Sequence, residues 1–274
     1  MVQSVATAIR EVLLTPDPRK KVMGARHVAR EWRLGRLAAT FDAEMPESPG
    51  RPAAPELLPP NRMPKRGKAQ SDRGRVALWH ALAHIEFVAI DLALDMAGRF
   101  GGDMSLEFVS DFMAVAADEA MHFALIERHL RTMGSFYGAL PAHRGLWDAA
   151  YETRHDLAAR LAIVPMVLEA RALDVTPSAV ARVRDSGDER GARLLERILD
   201  DEIRHVRAGV THFVAVADKL RLSPQSLWKS LLSEYFRGTL KPPFNDSARR
   251  SAGLPREWYH GVVPVTSSPL KLNS

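Results

Sequence analysis

Asp118-Glu119-Ala120-Met121-His122 and Asp201-Glu202-Ile203-Arg204-His205 are the two stretches on which the reading of this 274-residue chain turns. Each has the form Asp-Glu-x-x-His. On an α-helix, residues three apart share a face, so the Glu and His of each stretch reach one point. A lone glutamate precedes each stretch by the same distance: Glu86 stands 33 residues before Glu119, and Glu169 stands 33 residues before Glu202. A pattern that recurs in this way is what a duplicated helix pair gives. Fewer than one Glu-x-x-His match is expected by chance from 16 glutamates and 10 histidines, and the chain has four. The other two are set aside. Glu152 and His155 sit among Asp148, Arg154 and Asp156, Glu257 and His260 lie in a Pro/Gly-rich tail, and neither pair follows an aspartate.

The surroundings point inward. Glu86 lies in His84-Ile85-Glu86-Phe87-Val88, Glu169 follows Pro165-Met166-Val167-Leu168, and Glu119 comes just after the apolar run Met113 to Ala117. A buried carboxylate is costly unless it is paired or holds a metal. Four converging carboxylates repel one another, and two divalent cations balance their charge. Carboxylate and imidazole donors without sulfur suit iron or manganese better than structural zinc. The expected ligands are therefore Glu86, Glu119, His122, Glu169, Glu202 and His205, around two iron ions, with manganese or a mixed pair also compatible. Asp118 and Asp201 are expected to accept hydrogen bonds from the ligand imidazoles and so fix their tautomers. Arg204 is placed to pair with one of these carboxylates. His80 and His84 point away from the face of Glu86 and read as structural. Pro165, four residues before Glu169, removes a backbone donor beside the site.

The remaining sequence predicts an all-α protein. Helices are expected over about 75–99, 105–133, 144–174 and 188–220, as an antiparallel four-helix bundle. Ser105 and Gly134 punctuate the second, Gly101-Gly102 end the first, and a shorter helix opens at Ser223-Pro224. The expected division is a helical extension over 1–43, a Pro-rich then basic linker over 44–74, the bundle over 75–221, and a C-terminal helix with a wrapping tail over 222–274. Lys65, Arg66, Lys68, Arg73 and Arg75 make the linker's basic run. The second half fits less neatly than the first. A helix ending at Asp174 leaves Glu169 only five residues from its end, so the connector 175–187 must make up the length, with a short helix after Pro177.

Composition excludes several classes. Apolar residues make up 46% of the chain and charged residues 26%, an ordinary globular balance. No cysteine is present, which removes disulfides, thiolate zinc, iron–sulfur clusters and cysteine nucleophiles. No uninterrupted apolar run suggests a membrane span, and the N-terminus lacks the marks of a signal peptide, so a cytoplasmic protein is expected. A net charge of +5 and a pI near 9.7 permit contact with anions.

These residues together resemble the ferritin-like di-iron carboxylate superfamily over about residues 75–220. More closely, His84-Ile85-Glu86-Phe87, Leu168-Glu169-Ala170-Arg171 and Asp174-Val175-Thr176-Pro177 look like a bacterial ferritin-like family of unassigned function, similar in domain type to a tRNA hydroxylase. The resemblance implies that Glu86, Glu119 and His122 bind one iron and Glu169, Glu202 and His205 the other, with Glu119 and Glu202 bridging. It implies an oxygen-dependent oxidoreductase, most simply a hydroxylase or monooxygenase, acting on a small molecule or a modified tRNA base. Without cysteines, its electrons would come from a separate reductase. The competing expectation is iron oxidation, storage or peroxide detoxification, as in ferritins and rubrerythrins. Against a storage cage stand the long extensions at both ends.

Overall fold

The fold is taken from a computed structural model that describes residues 2–59, 62–64 and 71–261. The described chain is mostly helical. Two helices come first, α1 (Val5–Leu13) and α2 (Pro18–Arg33). Asp17 caps α2 by accepting from the Lys20 amide, and Pro18 occupies the first turn, where no amide partner is needed. Then come α3 (Asp72–Phe100) and α4 (Leu106–Thr132), an antiparallel hairpin joined by the turn at Gly101–Asp103. Ser71 and Ser105 cap the two helices by accepting from the Gly74 and Phe108 amides.

The second half is less regular. Residues Gly145–Glu152 form α5 and Leu157–Ile163 form α6. A π-helical stretch, Val164–Glu169, leads into α7 (Ala170–Asp185). After a turn at Gly187, where φ is +84°, α8 (Glu189–Lys219) runs back along it. Three short helices close the described chain: α9 (Pro224–Tyr235), α10 (Asp246–Ser251) and α11 (Arg256–Tyr259). The strands β1 (Leu57–Leu58) and β2 (Ala142–His143) make one small parallel pair.

Two expectations need correction. The third long helix is not continuous over 144–174: it breaks after Glu152 and resumes at Leu157, capped by Asp156. Nor does it end at Asp174. It passes through Pro177 and stops at Asp185. Proline has no amide, so the Leu173 carbonyl four residues earlier loses its partner. The Asn245 side-chain amide supplies one instead, at 3.1 Å. That substitution lets α7 continue and removes the length mismatch. Glu169 now lies 16 residues before the end of α7, and Glu202 lies 13 residues into α8. In the first hairpin Glu86 lies 14 residues before the end of α3, and Glu119 lies 13 into α4. At 1.5 Å per residue all four stand roughly 20–24 Å from their turns.

One continuous apolar core joins the halves. Helix α3 packs on α4, α4 on α8, and both α6 and α7 on α8. The N-terminal helices belong to the same core, α1 against α3 and α2 against α4. Helix α3 is long and apolar enough, by length and composition, to cross a bilayer, yet 67% of that window is buried within the protein. It also carries the buried acids Glu86, Asp91 and Asp95. Asp91 is met by Lys21 and Arg51, and Asp95 by Arg99 and Arg160, so each of these two aspartates has two cations. The tail does more than wrap the surface. Arg249 is buried and grips Asp174 of α7, while Trp258 and Tyr259 enter the core. Of the sequence's basic run, Lys65, Arg66 and Lys68 lie outside the described residues, as does the tail from 262 to 274.

Candidate metal centre

Four helical segments supply the acidic and imidazole side chains. Glu86 comes from the middle of α3, Glu119 and His122 from α4, Glu202 and His205 from α8. Glu169 is the last residue of the π-helical stretch. The extra residue in a π turn rotates the next part of the helix relative to a regular α-helix, and such turns recur at functional sites. Gly209 of α8 makes room for this bulge: a Cβ there would stand 2.3 Å from the Pro165 Cβ.

Ligand atoms of Glu86, Glu119, His122 and Glu202 all lie within 4.8 Å of one another, and none of the four residues is more than 5% exposed. His122 Nδ1 is 3.2 Å from Glu86 Oε2 and 3.4 Å from Glu119 Oε2. His205 Nδ1 is 3.1 Å from the other Glu119 oxygen and 3.6 Å from Glu202 Oε1. Glu119 thus stands between the two imidazoles, one oxygen toward each. Both histidines turn Nδ1 inward. Glu169, part-buried, and His205 fall outside the tightest group of four.

The outward nitrogens cross over. His122 of α4 places Nε2 3.0 Å from Asp201 of α8, and His205 of α8 places Nε2 3.4 Å from Asp118 of α4. Each aspartate therefore serves the imidazole of the opposite motif, not its own. Arg204 contacts both aspartates, from a position 56% exposed to solvent. His84 and His80, as expected, face elsewhere. His84 holds Tyr137 and the His143 carbonyl, and His80 Nε2 accepts from the Gly138 and Leu140 amides.

The electrostatics are those of a site short of positive charge. Burial, with Glu119 beside it, raises the Glu86 carboxyl well above its ordinary range. Burial and the Glu119 charge also raise Glu202. Glu169 is raised to about 8 by burial, then by Glu202 and Glu119. Burial would push Glu119 the same way, but the His122 and His205 imidazoles beside it hold it low. His122 is raised to about 11: burial opposes its charge, and Glu119 and Glu86 more than offset that. His205 is raised too, against burial, by Asp118, Glu119 and Glu202. Protons on acids and imidazoles thus do the work that cations would do. Two buried atoms facing the centre, Glu119 Oε2 and His205 Nδ1, have ion-pair contacts at 3.4 and 3.1 Å but no hydrogen bond of good alignment. Buried polar atoms are rarely left so. An oxygen–nitrogen donor set with orphaned inward atoms fits a hard or borderline transition metal.

What the sequence does not reveal is the pairing of partners over long separations. The crossed Asp–His contacts and the Arg249–Asp174 pair have no local signature. Pro177 within a helical pattern is the signal for Asn245, but it does not say where the compensating amide comes from.

The sequence profile of a family described as "Protein of unknown function (DUF455)" matches residues 14–260. An uncharacterized protein of Haemophilus influenzae (strain ATCC 51907 / DSM 11121 / KW20 / Rd) is 39% identical over 229 residues, covering 80% of this chain and 79% of the relative. No solved structure matches the chain.

Proposed function

Since the chain belongs to this family of unknown function, its role has to be read from its site, and we propose that it is a dinuclear iron oxidoreductase that uses dioxygen. In this reading α3, α4, the α6–α7 rod and α8 are a ferritin-like four-helix bundle. Glu86, Glu119, His122, Glu169, Glu202 and His205 hold two metals, iron by preference and manganese as the alternative. One observation carries it: a buried Glu/His group whose inward atoms Glu119 Oε2 and His205 Nδ1 lie beside ionisable neighbours but make no aligned hydrogen bond within the protein. When bound, such a metal pair supplies electrons for reduction of dioxygen and so for hydroxylation of a C–H bond.

The chain's own residues define the rest. Glu119, with one oxygen toward each imidazole, would hold metal on both sides, and Glu202 reaches the same tight group from α8. Asp118 and Asp201 keep the proton of each imidazole on Nε2 and leave Nδ1 free to ligate. Arg204 contacts both aspartates, and its exposure puts this end of the site within reach of a separate electron donor.

The test is metal analysis of the full-length protein purified after growth with iron, followed by rapid mixing of the ferrous protein with dioxygen. About two iron atoms per chain are expected, with a large loss on Glu119→Ala or Glu202→Ala and a visible absorbance transient on mixing. Metal-free protein that takes up no iron on reconstitution would overturn the proposal.

A further inference from the structure

A second feature lies outside this centre. Between α2 and α4 runs an open groove with a cavity volume of about 1010 Å³. Its two walls differ in chemistry. From α2 come Arg26, Arg30 and Arg33, spaced by four and three residues and therefore on one face. All three are exposed or half-exposed, and Arg26 and Arg33 make no ion pair among the described residues. Among the described residues Arg30 pairs with Glu31, which Arg36 shares. The α4 wall is mostly apolar and low, with Met113, Ala117 and Met121, and Asp118 is the one acid among its lining residues. Asp118 is already engaged by Arg204 and His205, so it does not neutralise the arginines.

The direction of the helices sets the shape of the charge. Trp32 near the end of α2 donates its indole N–H to Ser110 near the start of α4, at 3.0 Å, so the two helices run antiparallel. Arg33 therefore stands at the Ser110 end, Arg26 stands near Asp118, and Arg30 lies between them. The cations are spread over roughly 10 Å of helix rather than gathered at one point. A ligand with a single anionic head would use one of them. A chain of phosphates uses all three. The apolar floor and the half-exposed Trp32 ring suit the flat faces of bases, which stack on aromatic and thioether surfaces without sequence preference. A duplex has its bases enclosed and could not use this floor.

We propose that the α2–α4 groove binds a single-stranded nucleic acid, its phosphates along Arg26, Arg30 and Arg33 and its bases toward α4. Asp118, hydrogen-bonded to His205, lines the groove beside Met121, so the Arg26 end of the bound strand lies next to the candidate metal centre. Binding itself does not depend on what that centre does.

The experiment is fluorescence anisotropy with a labelled 12-nucleotide oligouridylate and the full-length protein, at two salt concentrations. Metal content is measured on the same samples. The double variant Arg26→Gln/Arg33→Gln is expected to bind at least about tenfold more weakly, and loss of two phosphate contacts should lower the salt slope by about 1.4. The control Arg190→Gln/Arg250→Gln removes the same charge from exposed sites elsewhere and is expected to change binding less than about twofold. Trp32→Leu should weaken binding without changing the salt slope. The proposal is overturned by no binding, by equal losses in test and control pairs, or by a nucleoside triphosphate competing as well as the strand. It is also overturned if the wild type is a dimer that the Arg26/Arg33 variant dissociates, since the groove would then be an interface between copies. Lost metal with retained strand binding would count against the oxidoreductase reading alone.

Discussion

Replacing Arg249 with methionine tests how the C-terminal segment is tied to the helix that carries Glu169. Arg249 is 1% exposed and Asp174 4%. The guanidinium meets the carboxylate in a two-pronged contact, Nε to Oδ1 at 2.8 Å and Nη2 to Oδ2 at 2.7 Å. Methionine keeps much of the volume and removes the charge. Asp174 would then keep the Asn245 amide at 3.0 Å and a single distant contact from the half-exposed Arg171, at 3.5 Å. Removing one member of a buried pair typically costs about 3–5 kcal/mol, because the other charge stays buried. The two surviving contacts put this case near the lower end, about 3 kcal/mol. With a urea dependence of about 3 kcal/mol per molar, the unfolding midpoint should fall by about 1 M. Removing both charges in Asp174→Asn/Arg249→Met should cost less than Arg249→Met alone, since no charge is stranded. Equilibrium urea unfolding of the wild type, both singles and the double closes the cycle. A loss below about 1 kcal/mol for Arg249→Met, or a double variant as unstable as the two singles summed, would refute this account of the pair.

Three other contacts carry expected outcomes of their own. Gly209→Ala puts a methyl into the space filled by the Pro165 ring, so α8 must move off the π-helical stretch; a stability loss of about 1–3 kcal/mol is expected, with reduced iron uptake, by thermal melts and metal analysis. Asn245→Ala should cost about 1–3 kcal/mol by orphaning the Leu173 carbonyl, and the cost should shrink in a Pro177→Ala background, where the helix supplies its own amide. Burial lowers the pKa of His80, and its Nε2 already accepts from two amides, so the folded protein resists the proton that the unfolded chain takes up near pH 6.5. The neutral ring costs nothing above that pH, and stability declines as the pH falls below it toward the lowered folded value. The drop in urea midpoint between pH 7.5 and 5.5 should be smaller in His80→Gln than in the wild type.

The parts of this molecule that are legible in its sequence are those whose cause is local. The two Asp-Glu-x-x-His stretches fall on helices because spacing by three and four is a property of one helix, and the serines and glycines at the ends of α3 and α4 act within a turn of their own position. Pro177 shows where local reasoning fails. By itself it predicts a helix end and a connector beyond it. The helix continues because Asn245, 68 residues away, supplies the missing hydrogen bond. The crossed aspartates make the same point inside the site. Asp118 and Asp201 are each next to a glutamate in sequence, but each serves the histidine of the other helix. This crossing has a mechanical consequence. A shift of α8 along α4 separates Asp118 from His205 and Asp201 from His122 together, and it moves Glu119 relative to His205 as well. The register between α4 and α8 is therefore held by the same side chains that orient the imidazoles. Packing that sets this register, including the close approach of Gly209 to Pro165, acts on the centre without touching it.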